Sequence, residues 1–237
     1  MRAVLCKAWG PPDSLVVEDL APLVAQPGQV VVAVKAAGVN FPDTLIIQNR
    51  YQHKPPLPFS PGAEVAGVIK SLGEGVAGWA VGERVIAQTT YGGFAEEVIA
   101  EPNQLIRMPA GMDFTIAASV GLAYGTSYYA LIERGQLQSG ETLLVLGASG
   151  GVGLAAIEIG KILGARVIAC ASTDAKLSVC REHGADELVN YAAEDMRARV
   201  KALTDGNGVD VAYDPVGGAY SERALRDMAW GGRLLVV

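Results

Sequence analysis

Histidine is nearly absent from this chain: His53 and His183 are the only two among 237 residues. A zinc site of thiolates and imidazoles needs those ligands converging on one point, and two histidines on separate segments do not supply them. No metal site is expected. Cysteine is also scarce, and Cys6, Cys170 and Cys180 form neither a C-x-x-C nor a pairing pattern. That speaks against a disulfide framework and makes a reducing cytoplasm the default location. Charged residues make up 19% of the chain and sum to −6, with Lys and Arg scattered, so a nucleic-acid partner is not expected. Long apolar runs are missing too. The uncharged stretch at residues 142–157 is broken by glycines, and Lys7 interrupts the apolar start, so neither a membrane span nor a signal peptide is expected.

What is abundant is apolar surface, glycine and proline: 50% hydrophobic residues, 29 Gly and 12 Pro. This suits a turn-rich β domain beside an α/β domain. Up to about residue 120 the chain favours short strands, at 29–37, 65–69 and 84–87, separated by turns such as Gly10-Pro11-Pro12 and Pro61-Gly62. A curled, partly closed barrel is expected. Beyond Pro109-Ala110-Gly111, Asp113 can cap a helix through Ser119, and residues 124–134 form a second helical candidate ending at Gly135. A regular alternation follows. Strands are expected at 142–147, 166–171, 187–189, 209–213 and 233–237, with helices near 151–163, 174–182, 195–203 and 220–228. Continuous apolar strands between helices indicate a parallel sheet covered on both faces.

The segment Leu143-Leu144-Val145-Leu146-Gly147-Ala148-Ser149-Gly150-Gly151-Val152-Gly153 reads as a buried strand, a glycine turn and a helix start. Such a turn can hold a pyrophosphate on backbone N–H groups. G-x-G-x-x-G does not fit literally, because Ala148 takes the first glycine position. Gly150 would let the backbone approach the pyrophosphate, and Gly153 would let the helix pack closely on the strand. A tight structural turn is the alternative. At the tip of the second strand, Ala171 and Ser172 are small and neutral and Lys176 is cationic, which favours NADPH over NADH. Asp174 could serve NADH instead, or act as a first-turn helix acid, and Lys176 could be an ordinary solvated lysine.

In the first domain, Tyr51 could give a proton or hydrogen bond to an oxygen where charge develops, or simply line a groove. Asn40 could orient a carboxamide or ribose, or cap a turn. His183, just before Gly184, is expected to meet the last carbonyls of its helix, and His53 lies in a polar turn beside Lys54.

Several motifs in order resemble one known family. They are Ala37-Gly38-Val39-Asn40-Phe41 with Asp43, Pro55-Pro56-Leu57-Pro58-Phe59, Pro61-Gly62-Ala63-Glu64-Val65-Ala66-Gly67, Val81-Gly82-Glu83-Arg84-Val85, Gly92-Gly93-Phe94-Ala95-Glu96, Tyr124-Gly125-Thr126-Ser127 and the 147–153 turn. Together they resemble the zinc-free quinone oxidoreductase, zeta-crystallin-like branch of the medium-chain dehydrogenase/reductase superfamily. Zinc-dependent relatives carry Gly-His-Glu where this chain has Gly62-Ala63-Glu64, and a ligand cysteine where it has Asn40. The resemblance implies a GroES-like, partly open β-barrel domain over 1–122 and a Rossmann α/β domain over 123–237. The latter would lack the usual final strand and the return segment.

The same resemblance implies that Asn40, Thr126, Ser149, Gly150, Gly151, Val152, Ser172, Lys176 and Tyr191 lie around NADPH. Tyr191 would sit near the 2′-phosphate and Gly217 near the nicotinamide. Tyr51 corresponds to a tyrosine that related enoyl-thioester reductases use near substrate; position 49 is usually glycine there, so Asn49 changes the turn. Glu64 matches a retained acid with a structural role. The implied activity is NADPH-dependent reduction of a quinone or similar conjugated carbonyl without metal. An enoyl-thioester or enone reductase and a nucleotide-binding protein without turnover are the alternatives. The strand that usually pairs across the family's two-fold axis is the missing one, which leaves a family-like homodimer open.

Overall fold

A computed structural model describes residues 1–237, and the chain divides into two compact units, Met1–Leu122 and Ala123–Val237. The first unit contains β1 (Arg2–Leu5), β2 (Val16–Asp19), β3 (Val30–Gly38), α1 (Phe41–Ile46), β4 (Glu64–Leu72), β5 (Arg84–Gln88), β6 (Glu97–Ala100) and β7 (Leu105–Arg107). Five of these strands form an antiparallel sheet in the order β6-β3-β4-β5-β7. It curls without closing on itself. β1 and β2 make a separate ladder, tied on by single bridges from Ala3 to Ala95 and Cys6 to Phe59. Val30, Val32, Val65, Ile69, Val85 and Val98 pack into one core on the sheet's inner side. Successive strand residues point to opposite faces. Ala66 and Ile86 therefore meet the other layer, where Ala117 and Ala118 of α2 (Phe114–Tyr128) cover them.

Helix α2 corrects the sequence reading of two separate helices. It runs unbroken to Tyr128 and continues as a π-helical turn over Tyr129–Arg134, ending at Gly135. Pattern alone placed a break at residues 120–123, but the segment Val120-Gly121-Leu122-Ala123 holds no proline and the glycine is tolerated inside a helix. Asp113 does cap its start, with Oδ1 accepting the Thr115 N–H at 2.7 Å.

The second unit contains β8 (Thr142–Val145), α3 (Gly151–Ile162), β9 (Arg166–Ala171), α4 (Asp174–Glu182), β10 (Glu187–Asn190), α5 (Met196–Leu203), β11 (Val209–Asp214), α6 (Ala219–Arg226) and β12 (Met228–Val236). Its strands form one parallel sheet in the order β10-β9-β8-β11-β12, with the first strand in the middle. Strand alternation builds both cores. Leu143, Val145, Val167 and Ala169 join one cluster with α3, while Leu144, Leu146, Ile168 and Cys170 join another with Met196, Val200 and Ala224 of α5 and α6. Strand β8 stops two residues earlier than the apolar run suggests, because Gly147 takes φ +55° and starts the turn. Strand β12 begins five residues earlier, since a bulge lets Met228 pair with Val209 before Arg233 pairs with Val211.

Candidate active site

Polar groups in residues 1–122 converge on Asn40. It caps α1 from an extended conformation, and its own N–H donates to Asp43 Oδ2 at 2.8 Å, the returning half of a capping box. Its side-chain Nδ2 donates to Glu64 Oε2 at 3.3 Å, and Glu64 Oε1 accepts the Leu122 N–H at 2.9 Å. Glu64 is only 1% exposed. Burial pushes its carboxyl upward, opposed by hydrogen bonds from Leu122, Asn40 and Gly121, and Asp43 is raised by burial in the same way. The fit demands glycine at 38, where a Cβ would lie 2.2 Å from the Ala118 carbonyl oxygen. Glu64 thus ties β4, α1 and α2 together, and Asn40 is the group it holds.

Tyr51 is half-buried beside the cluster of Cys6, Ile46, Ile47 and Phe59, its ring 5.9 Å from that of exposed His53. Asn49 sits at φ +57°, the left-handed region glycine normally fills. Asparagine tolerates that region.

In the second unit the turn 147–153 is built from backbone. Gly150 is exposed and is the N-cap of α3, which receives no side-chain cap, whereas α4 and α5 are capped by Thr173 and Asp195. A Cβ on Gly150 would meet nothing nearer than 3.5 Å, so this face of the turn is open. A Cβ on Gly153 would fall 2.6 Å from the Ala148 carbonyl oxygen, so the close approach that the sequence placed between helix and strand is made by the helix start on the turn. Uncapped N–H groups at a helix start attract anions. Ser149, Gly151 and Val152 lie along this start, none of them fully buried.

At the end of β9 three of the expected residues come together. Lys176 Nζ lies 3.2 Å from Ser172 Oγ, and Tyr191 stands beside Ser172 with its ring packed 4.6 Å from that of Tyr220. Asp174 accepts the side-chain amide of Asn190 at 2.7 Å, so its carboxylate is already engaged. Thr126 lies apart from this group, half-buried on α2 beside Val236 and Val237. Gly217, at φ +76°, belongs to a loop organised by Asp214, whose Oδ1 accepts the N–H groups of Val216 and Gly217, each at 2.9 Å. Ser221 donates to its other oxygen.

Sequence reasoning passed over Asp214. The available signal was an acid followed by Pro-Val-Gly-Gly, the pattern of a side chain bonding the backbone two residues on. It also passed over Tyr213 and Ser127, whose hydroxyls meet at 2.8 Å while Ser127 also bonds the Val152 carbonyl at 2.8 Å, bracing α2 against α3. His183 departs from expectation: its Nδ1 lies 2.5 Å from Glu158 rather than at the helix-end carbonyls. Tyr124 donates to the same carboxylate, which pushes the phenol up to about 12.

A curled antiparallel sheet followed by a parallel sheet with a glycine turn defines the class: a GroES-like domain joined to a Rossmann nucleotide-binding domain, an oxidoreductase architecture. The comparisons agree. The family described as alcohol dehydrogenase GroES-like domain matches residues 26–110, and the one described as zinc-binding dehydrogenase matches 151–237. Rat quinone oxidoreductase-like protein 2 is 38% identical over the whole chain, which spans 67% of that protein. Human quinone oxidoreductase is 34% identical, again over the whole chain, which spans 73% of it.

Among solved structures, a probable oxidoreductase from Mycobacterium abscessus is 42% identical with a TM-score of 0.91, over 100% of this chain and 74% of that one. Escherichia coli quinone oxidoreductase complexed with NADPH is 31% identical with a TM-score of 0.92, over 100% and 76%. JamJ enoyl reductase is 30% identical with a TM-score of 0.90, over 100% and 73%. The chain belongs to the quinone-oxidoreductase-like, zinc-free branch of the medium-chain dehydrogenase/reductase superfamily. The word zinc in one matching description does not carry over to its side chains: Asn40 and Ala63 stand at two ligand positions, and no three His, Cys, Asp or Glu residues gather to hold a metal ion. No helix is long and apolar enough to cross a membrane.

Proposed function

We propose that the chain is an NADPH-dependent reductase of quinones or similar conjugated carbonyls that works without metal, with residues 123–237 binding most of the nucleotide and residues 1–122 supplying Asn40 and Tyr51. The observation that carries this reading is the Ser172–Lys176–Tyr191 group, with Asp174 turned to Asn190. A neutral hydroxyl, a cation and a phenol suit a 2′-phosphate, and the Asp174 carboxylate is held on the Asn190 amide. Gly150, Gly151 and Val152 would take the pyrophosphate on the uncapped start of α3, with Ser149 beside them. Gly217, held by Asp214, and Thr126 would border the nicotinamide side. Asn40, fixed by Glu64, would orient a carboxamide or ribose. When bound, NADPH supplies a hydride to the acceptor. A quinone's own conjugation takes up the resulting charge, so these residues need only orient and bind.

A second reading, reduction of an enone or enoyl thioester, is favoured by the half-buried Tyr51 phenol, which would protonate the reduced acceptor. Purified chain is tested for NADPH binding and for NADPH oxidation against a quinone panel and an enone panel. Quinone turnover that survives Tyr51→Phe supports the first reading. Enone turnover lost in Tyr51→Phe supports the second. Binding without turnover on either panel overturns both in favour of a nucleotide-binding protein.

A further inference from the structure

The strand order β10-β9-β8-β11-β12 reverses at β8: the chain runs outward through β9 and β10, then crosses back to β11 on the other side and on to β12. Ligands of open parallel sheets lie beyond the C-terminal strand ends at such a reversal. Two loops leave the strands there, the 147–153 turn after β8 and residues 215–218 after β11. They touch. The Leu146 N–H donates to the Tyr213 carbonyl at 3.0 Å, and a Cβ on Gly147 would fall 2.8 Å from Val216 Cγ2. The second loop leans directly on the turn that would take the pyrophosphate.

One buried acid shapes this loop. Asp214 is 0% exposed, and the donors on its carboxylate all come from the segment that follows it: the Val216 and Gly217 N–H groups on Oδ1 and the Ser221 hydroxyl of α6 on Oδ2. Gly217 and Gly218 sit at φ +76° and +62° with open space where a Cβ would stand. Consecutive glycines have many conformations to lose, so the carboxylate is what holds this one. A trans peptide points its carbonyl opposite its N–H. With the Val216 and Gly217 N–H groups turned inward to Asp214, the carbonyl oxygens of Pro215 and Val216 face away from it, and neither accepts a hydrogen bond from the chain. The loop thus offers acceptors where the neighbouring turn offers donors.

We propose that Asp214 is a positioning residue for the nicotinamide riboside half of the nucleotide, fixing residues 215–218 as an acceptor-bearing wall beside the donor-bearing turn. This rests on the NADPH reading above. Phosphates carry only acceptors and suit the turn, whereas ribose hydroxyls and a carboxamide carry donors and suit the loop. The residues for the 2′-phosphate, Ser172, Lys176 and Tyr191, stand at the ends of β9 and β10, across β8 from the loop. The effect of Asp214 is therefore confined to ligands that carry the nicotinamide half.

Isothermal titration of the 237-residue chain with NADPH and with adenosine 2′,5′-bisphosphate, which keeps the 2′-phosphate and lacks nicotinamide, tests the proposal. Asp214→Ala should weaken NADPH about tenfold or more and leave the bisphosphate within about twofold. Asp214→Asn keeps an oxygen for the two N–H groups and an amide that can donate to Ser221, so it should restore NADPH binding to within about threefold. Equal weakening of both ligands in Asp214→Ala overturns the proposal, as does unchanged NADPH affinity. Asp214→Asn as weak as Asp214→Ala also overturns it, because the hydrogen-bonded shape would then not be what matters. If Asp214→Ala unfolds, Ser221→Ala decides, with NADPH weakened about threefold and the bisphosphate unchanged as the expected result. A wild-type chain that binds neither ligand overturns the NADPH reading and this inference together; a wild-type chain that binds both, with no split in the variants, overturns this inference alone.

Discussion

Residues 37–64 and residues 147–153 present polar groups by opposite means. Around Asn40 the groups are side chains, placed by two buried carboxylates, with Glu64 accepting from both α1 and α2. In the turn they are backbone N–H groups, placed by glycines whose missing Cβ atoms permit the approach. A backbone site depends on local spacing and, at Gly153, tolerates no added carbon. A side-chain site depends on contacts made far along the chain, and its cost lies in burying charge.

Four measurements probe this contrast, the largest effect first. Gly153→Val puts carbon against the Ala148 carbonyl, which cannot move aside, and should cost about 3 kcal/mol or more in urea unfolding. A loss under about 1 kcal/mol would mean the backbone turn yields more easily than its geometry implies.

Next comes a buried acid, Asp227, whose Oδ2 lacks the donors that Glu64 has. Asp227 is pushed up to about 6, first by burial, with Arg197 opposing and Asp195 reinforcing the shift. A raised carboxyl contributes stability that is fully present below its unfolded value and is lost as pH rises through the folded one. The chain should therefore lose about 2 to 3 kcal/mol between pH 4 and pH 7 relative to Asp227→Asn. Parallel stability curves for the two proteins would contradict this.

Third, Glu64→Ala leaves the Leu122 N–H and the Asn40 amide without their acceptor. About 2 kcal/mol of stability should go, with Glu64→Gln losing less. The smallest effect concerns the nucleotide. Ser172→Asp adds a carboxylate beside Lys176 and should lower the affinity ratio of NADPH to NADH about tenfold or more, read from titrations of each. An unchanged ratio would remove the Ser172 group from the nucleotide reading.

The alternation of strands and helices after residue 140 was legible because buried parallel strands are continuous apolar runs and the helices between them end at glycines. Gly164 and Gly184, at φ +82° and +100°, stand where the pattern put them. The close approach at Gly153 was legible for the same local reason. The unbroken α2 was not, because burial of Ala117, Ala118, Ala130 and Leu131 overrides a weak local break. Asp214 escaped notice because an acid reads the same whether it meets solvent or a loop's N–H groups.

By itself the sequence determined the order of elements, the glycine turn and the absence of a zinc ligand set, since each depends on residue type and spacing over a few positions. Only the tertiary structure decided that Glu64 holds Asn40, that Ser172, Lys176 and Tyr191 meet, and that Ser221 of α6 reaches Asp214. Those contacts join residues from different elements, and which elements become neighbours is set by how the sheets pair and the helices pack, not by any local pattern.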